Sequence, residues 1–166
     1  MTAVILGTGS RVYSRPDLVR LVLRAVARRF DGDVVLRYGA ARRGADRFMA
    51  DCWRSMGLRL ESFPADWNGP CQEDCDHGGR RPYPDGTGNY CPGAGPRRNR
   101  AMVDKGGITE VHGWPEGEAS GTLGTLEYAT AAGLTVYSWP PQDARAVLDW
   151  IATQAATPRW PSDRLL

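Results

Sequence analysis

The sequence lacks any apolar run that could span a bilayer, which takes about 20 residues. The apolar stretch Ala3-Val4-Ile5-Leu6 stops at Gly7, and no basic segment precedes it. Neither a membrane partner nor a secretory signal is expected, and a cytoplasmic location is the reading. A strong charge of either sign is also missing. The net charge of +2 is too small to argue for a nucleic-acid or membrane partner. There is no internal repeat. Cysteines number only four, and in a reducing compartment they read as metal ligands before disulfides. Residues 68–95 have almost no aliphatic side chains, so that stretch has little of its own to pack.

What remains is an ordinary globular composition, 42% hydrophobic and 24% charged, in a chain long enough for one domain with a full core. Residues 3–6 read as a buried strand. A helix opens at Pro16-Asp17 and carries Leu18, Val22, Ala25 and Val26 at helical spacing up to Phe30. Val34-Val35-Leu36 is a second strand, followed by a helix through Phe48, Cys52 and Met56 to Gly57. Residues 58–63 form a third strand. A helix near Pro96, a strand at 108–112, a helix from Ser120 to Ala132, a strand at 134–137 and a helix at 141–154 complete the series. Strands alternating with helices imply right-handed βαβ units. The expected fold is α/β: a Rossmann-like three-layer sandwich with a mainly parallel five-stranded sheet. Residues 1–155 form the domain, 68–95 a loop insertion in it, and 156–166 a tail.

Four polar motifs sit where ligands of such sheets bind, at strand ends and helix starts. Gly7-Thr8-Gly9-Ser10-Arg11 offers glycine backbone, free amides and a hydroxyl to phosphate oxygens, or is a tight turn. Gly39-Ala40-Ala41-Arg42-Arg43-Gly44-Ala45-Asp46 repeats the pattern after the second strand. Asp46 there is a ribose ligand or a helix cap. Arg97, Arg98 and Arg100 fall in one helical turn with Asn99. They repel one another unless an anion or acid lies near; a solvated face is the other reading. Ser120-Gly121-Thr122-Leu123-Gly124-Thr125-Leu126-Glu127 brings hydroxyls and glycines to a helix N-terminus, a ready anion site, with Glu127 one to two turns in.

Cys71, Cys75, His77 and Cys91 give the spacing C-x3-C-x-H-x13-C inside the insertion. Three thiolates and an imidazole suit a tetrahedral, structural Zn²⁺, which would order a segment short of apolar matter. Disulfides, or free thiols in a disordered loop, are the alternatives. Cys52 reads as a small core residue and His112 as a structural histidine. The insertion runs into the Arg98 helix, so it is expected to wall the ligand site.

Taken together, Gly9-Ser10-Arg11, Gly39 to Asp46, Pro64-Ala65-Asp66-Trp67, Ala94 to Met102 and Ser120-Gly121-Thr122 resemble the SLOG superfamily. These Rossmann-like domains are related to LOG (LONELY GUY) and DprA proteins. The likeness is nearest to the YspA/YpsA-related branch of phages and actinobacteria, and it spans roughly residues 3 to 137. It implies a phosphorylated nucleoside or nucleotide-derived ligand and a homodimer. It further implies a LOG-like phosphoribohydrolase, which cleaves the N-glycosidic bond of nucleoside 5′-monophosphates, with Arg98 and Glu127 catalytic. Gly9, Ser10, Arg11, Gly39, Arg43, Gly44, Asp46, Asn99, Ser120, Gly121, Thr122, Gly124 and Thr125 are the expected ligand contacts. The pattern also departs from LOG enzymes. Ser120 stands for Pro, Thr122 for Gly, Asn99 for Lys, and Ala40 and Ala41 for two glycines. A non-catalytic sensor or sponge for a nucleotide signal is the alternative. The near-neutral charge gives a DprA-like single-strand binder little support.

Overall fold

The computed structural model describes residues 2–73 and 75–155. The tail expected at 156–166 lies outside the described residues. The elements run β1 (Ala3–Gly9), α1 (Pro16–Arg29), β2 (Val34–Tyr38), α2 (Ala45–Ser55), β3 (Arg59–Ser62), β4 (Arg81–Pro82), β5 (Asn89–Tyr90), α3 (Ala94–Asp104), β6 (Glu110–Trp114), α4 (Ser120–Ala131), β7 (Val136–Ser138) and α5 (Ala144–Ala155).

β1, β2, β3, β6 and β7 form one parallel sheet, as the alternation of strands and helices predicts, and their order is β3-β2-β1-β6-β7. Successive side chains of a strand point to opposite faces, so β1 feeds two cores. Ala3 and Ile5 join Leu18, Val22, Val26, Met49, Trp53 and Val147 from α1, α2 and α5 on one face. Leu6 joins Val111, Met102, Val103, Leu126 and Ala129, with α3 and α4, on the other. Cys52 is buried within the first core, in the role expected of it.

The strand order reverses at β1. The chain leaves β1 toward β2 and β3 on one side and returns to β6 on the other. Loops at the carboxyl ends of β1 and β6 therefore splay apart, which opens a crevice there.

Several bounds differ from the sequence reading: β1 runs on to Gly9 and β2 to Tyr38, β7 spans Val136–Ser138 rather than 134–137, and α5 starts at Ala144 rather than 141. The strand expected at 108–112 is β6, Glu110–Trp114, because Gly113 and Trp114 continue the ladder opposite Thr8 and Gly9. The insertion holds a small antiparallel hairpin, β4 with β5, which no apolar alternation announces. It closes through Tyr83 N–H to Gly88 O at 2.8 Å and Gly86 N–H to Tyr83 O at 3.0 Å. Arg80 fastens it by donating to the carbonyls of Gly69, Asn68 and Asn89. No described helix is long and apolar enough to cross a membrane.

Candidate functional site

A cleft of about 610 Å³ lies at the switch point between β1 and β6. Its floor begins with Thr8-Gly9-Ser10-Arg11, where β1 ends. Ser10 is buried, and its hydroxyl accepts the Glu116 N–H at 2.9 Å, tying the β1 loop to the β6 loop. Glycine at position 9 is required by packing: a Cβ there would overlap the Ala45 methyl at the start of α2. Gly44 has φ +66, and a side chain there would strike the Ser10 carbonyl. Close backbone approach is thus why both Gly-containing motifs meet.

Arg98 enters from α3 and is largely buried. Nη1 donates to the carbonyls of Gly39 and Phe63, the latter at 3.0 Å, and Nε donates to Asn99 Oδ1 at 2.7 Å. A Cβ on residue 39 would occupy the guanidinium's space, so Gly39 serves Arg98 as well as any ligand. Burial pushes Arg98 below its ordinary value, and the charge of Asp46 opposes that shift. Asn99 Nδ2 donates to Gly121 O at 3.1 Å, linking α3 to the first turn of α4.

Asp46 lies in the first turn of α2 and is 4% exposed. Its Oδ2 accepts the Ala41 N–H at 2.9 Å, which braces a loop whose Ala40 has φ +57. Burial raises its carboxyl to about 6, against the backbone hydrogen bond and the charges of Arg98 and Arg11.

On the opposite wall, α4 begins at Ser120 with no side chain capping its N-terminus. Ser120, Gly121 and the buried Thr122 line the cleft. The amides of that turn and the positive end of the helix dipole form an anion-binding corner. Of the expected contacts, Gly9, Ser10, Arg11, Gly39, Asp46, Arg98, Asn99, Ser120, Gly121 and Thr122 line one cleft. The others do not. Arg43 and Gly124 are exposed, and Gly44 is packed beneath the β1 loop. Thr125 is buried, with its hydroxyl on Gly121 O at 2.8 Å. Glu127 is exposed and does not line the cleft. A helix turns about 100° per residue, so two residues beyond the buried Thr125 the side chain points to the other side of α4.

Trp67, Glu116 and Glu118 also line the cleft, although they are not among the expected contacts. Trp67, which closes Pro64-Ala65-Asp66-Trp67, stands against the T-shaped edge of Tyr90 at 6.0 Å and under the Arg11 guanidinium at 5.2 Å. Glu116 and Glu118 follow β6. The Glu116 carboxylate is engaged by the Ser14 N–H at 2.6 Å and the Ser14 hydroxyl at 3.0 Å. Their signals were present, an aromatic after β3 and acids after β6, but only the fold turns them inward.

Beside the cleft, Cys71, Cys75, His77 and Cys91 converge with their ligand atoms all within 4.8 Å of one another. Cys75 and Cys91 sulfurs are 3.5 Å apart, and His77 Nε2 is 3.3 Å from Cys91 and 3.7 Å from Cys71. No pair is disulfide-bonded. This Cys3His group could hold a metal ion. Arg97 Nη1 donates to Cys75 Sγ at 2.7 Å, placing a positive charge against the thiols. Burial raises the Cys91 thiol, but hydrogen bonds from His77, Arg97 and the neighbouring thiols bring it down to about 6. The insertion also contributes to the cleft wall, through Pro92 and the neighbouring Trp67.

His112 is fully buried in β6, in the structural role expected of it. It is flanked by Tyr137 at 5.1 Å and Trp139 at 6.0 Å. No protein-family model and no curated protein matches the sequence.

Proposed function

We propose that the cleft binds a phosphorylated nucleoside or nucleotide-derived small molecule, the ligand class that the SLOG resemblance implies. One observation carries this reading: four motifs far apart in sequence meet in a single crevice that joins an uncapped helix N-terminus to two arginines. The phosphate sits at Ser120-Gly121-Thr122, within reach of Arg98 or Arg11, which matches the preference of helix N-termini and guanidinium for anions. Asp46 faces the ribose, and Trp67 offers the base an aromatic wall. Calorimetry with 5′-AMP, 5′-GMP, 5′-CMP, 5′-UMP and ribose 5-phosphate tests this. Saturable binding to the wild type, lost in Arg98→Ala, is the expected result; no binding of any probe sinks it.

In this reading the Cys3His group holds structural Zn²⁺. Tetrahedral zinc puts sulfur atoms about 3.8 Å apart and sulfur and nitrogen about 3.6 Å apart. The Cys75–Cys91 and Cys71–His77 separations of 3.5 and 3.7 Å are close to those values. Four protein ligands leave no open position, so the metal supplies order rather than chemistry. Elemental analysis of the purified protein should find one zinc per chain.

Hydrolysis of the N-glycosidic bond is a second reading, favoured by the buried Asp46 carboxylate in the cleft. A ligand recovered intact would instead make the domain a nucleotide sensor.

A further inference from the structure

Resting on the nucleotide reading and its hydrolytic form, we infer that Asp46 is the catalytic carboxylate that takes the proton of the attacking water. The argument is one of elimination by position. Among the described residues, three carboxylates line the cleft: Asp46, Glu116 and Glu118. Both oxygens of Glu116 accept hydrogen bonds from Ser14. Glu118 is exposed on the loop after β6, where water solvates it, and no hydrogen bond from the described residues orients it. Glu127, the acid that the LOG resemblance implies, faces away from the cleft on α4.

Asp46 differs from all of these. One oxygen, Oδ2, is held by the Ala41 N–H at 2.9 Å. Its Oδ1 has no protein partner among the described residues and is not sealed from the cleft. A carboxylate positioned by one oxygen and open at the other is suited to hold a water molecule. Arg98 and Arg11 place positive charge near it, so the carboxylate form persists at neutral pH despite burial. A base that titrates near the working pH is an effective proton acceptor.

The step balances as a hydrolysis. The bond between C1′ and the base nitrogen breaks, and its electron pair leaves with the base. The water oxygen bonds to C1′, and one water proton passes to Asp46 Oδ1. Asp46 then returns that proton to the departing base nitrogen. The products are free base and ribose 5-phosphate, and the carboxylate is restored. The negative charge of Asp46 also stabilises the oxocarbenium-like sugar between the two bond changes.

The same four nucleotides are used, with binding read by calorimetry and base release by chromatography, for the wild type, Asp46→Asn and Glu127→Gln. Asparagine keeps an oxygen for the Ala41 N–H, so a purely bracing role would survive that substitution. The inference expects Asp46→Asn to bind with a Kd within about threefold of wild type while base release falls by about a hundredfold or more. It expects Glu127→Gln to release base at the wild-type rate. Undiminished release by Asp46→Asn, or loss of release in Glu127→Gln, overturns it. Wild-type binding with no release of base also overturns it and leaves the binding reading intact. Absence of binding to all four nucleotides overturns both.

Discussion

Arg97 and Arg98 are consecutive on α3 yet serve different centres: Arg97 donates to the Cys75 sulfur at 2.7 Å, and Arg98 to the Phe63 carbonyl at 3.0 Å in the cleft. Adjacent helical residues point about 100° apart, so a single turn of α3 joins the Cys3His group to the cleft.

Metal removal therefore acts on the cleft. In the proposed zinc-bound form the ion is the common partner of the three thiolates and His77, so its removal takes the staple from the wall carrying Trp67 and Pro92. Trp67 O accepts the Cys91 N–H at 3.0 Å, so the two move together. Chelation with a strong zinc ligand should lower the melting temperature and weaken 5′-AMP binding by tenfold or so, with recovery on adding Zn²⁺. Calorimetry before and after chelation measures this; unchanged affinity in metal-free protein would break the proposed link.

Gly39→Ala tests the seat of Arg98. The added methyl falls where the guanidinium lies and displaces it from the Gly39 and Phe63 carbonyls. A lost charged hydrogen bond is worth roughly 1.5–3 kcal/mol. Affinity for 5′-AMP should fall by about ten- to a hundredfold, with helicity by circular dichroism preserved. An alanine variant that binds like wild type would show that the Arg98 seat is irrelevant to the ligand.

Asp46 makes stability depend on pH in a specific direction. Its carboxyl is pushed up to about 6 in the folded chain, from an ordinary value of 3.8. Between those values the folded state binds the proton more tightly. Its contribution is favourable at low pH and is lost as pH rises through about 6. The full difference is about 3 kcal/mol at most. Asp46→Asn should therefore be more stable than wild type at pH 8, by roughly 1–3 kcal/mol, and the gain should shrink at pH 4. Urea midpoints at both pH values decide it; a variant less stable at pH 8 contradicts the argument.

His112 predicts acid sensitivity from a different place. Trp139 Nε1 can only donate, so its contact at 3.0 Å makes His112 Nδ1 an acceptor. Nε2 then carries the proton and donates to Glu110 Oε1 at 2.9 Å. Burial holds His112 below its ordinary value, with Glu110 opposing. The unfolded chain takes up a proton near pH 6.5 and the folded chain resists, so this group's contribution is lost as pH falls below that point. Trp139→Phe frees Nδ1 to accept the proton. Its histidine should titrate higher by NMR, and its stability should decline less steeply between pH 7 and 5. A His112 titration unmoved by that change would refute the tautomer.

The parallel sheet, its helices and the convergence of Cys71, Cys75, His77 and Cys91 are local consequences of composition: apolar periodicity, glycine at strand ends, and thiols in a segment with nothing else to pack. These were legible residue by residue, as were Ser10, Arg98 and Ser120-Gly121-Thr122 at the cleft. Tertiary structure alone decided which way polar side chains face. Glu127 stands in the right motif yet turns outward, because the rotation of α4 is set by Leu126 and Ala129 in the core beneath β6. Asp46 read at least as well as a cap as it did as a ligand, and only the fold shows that its carboxylate braces the Ala41 N–H and lines the cleft, with Gly44 at the cap position. Trp67 and Glu116 belong to the cleft through contacts with Arg11, Tyr90 and Ser14, partners distant in sequence. Periodicity reports which residues avoid water; the direction of the remainder follows from how helices and loops pack across the switch point.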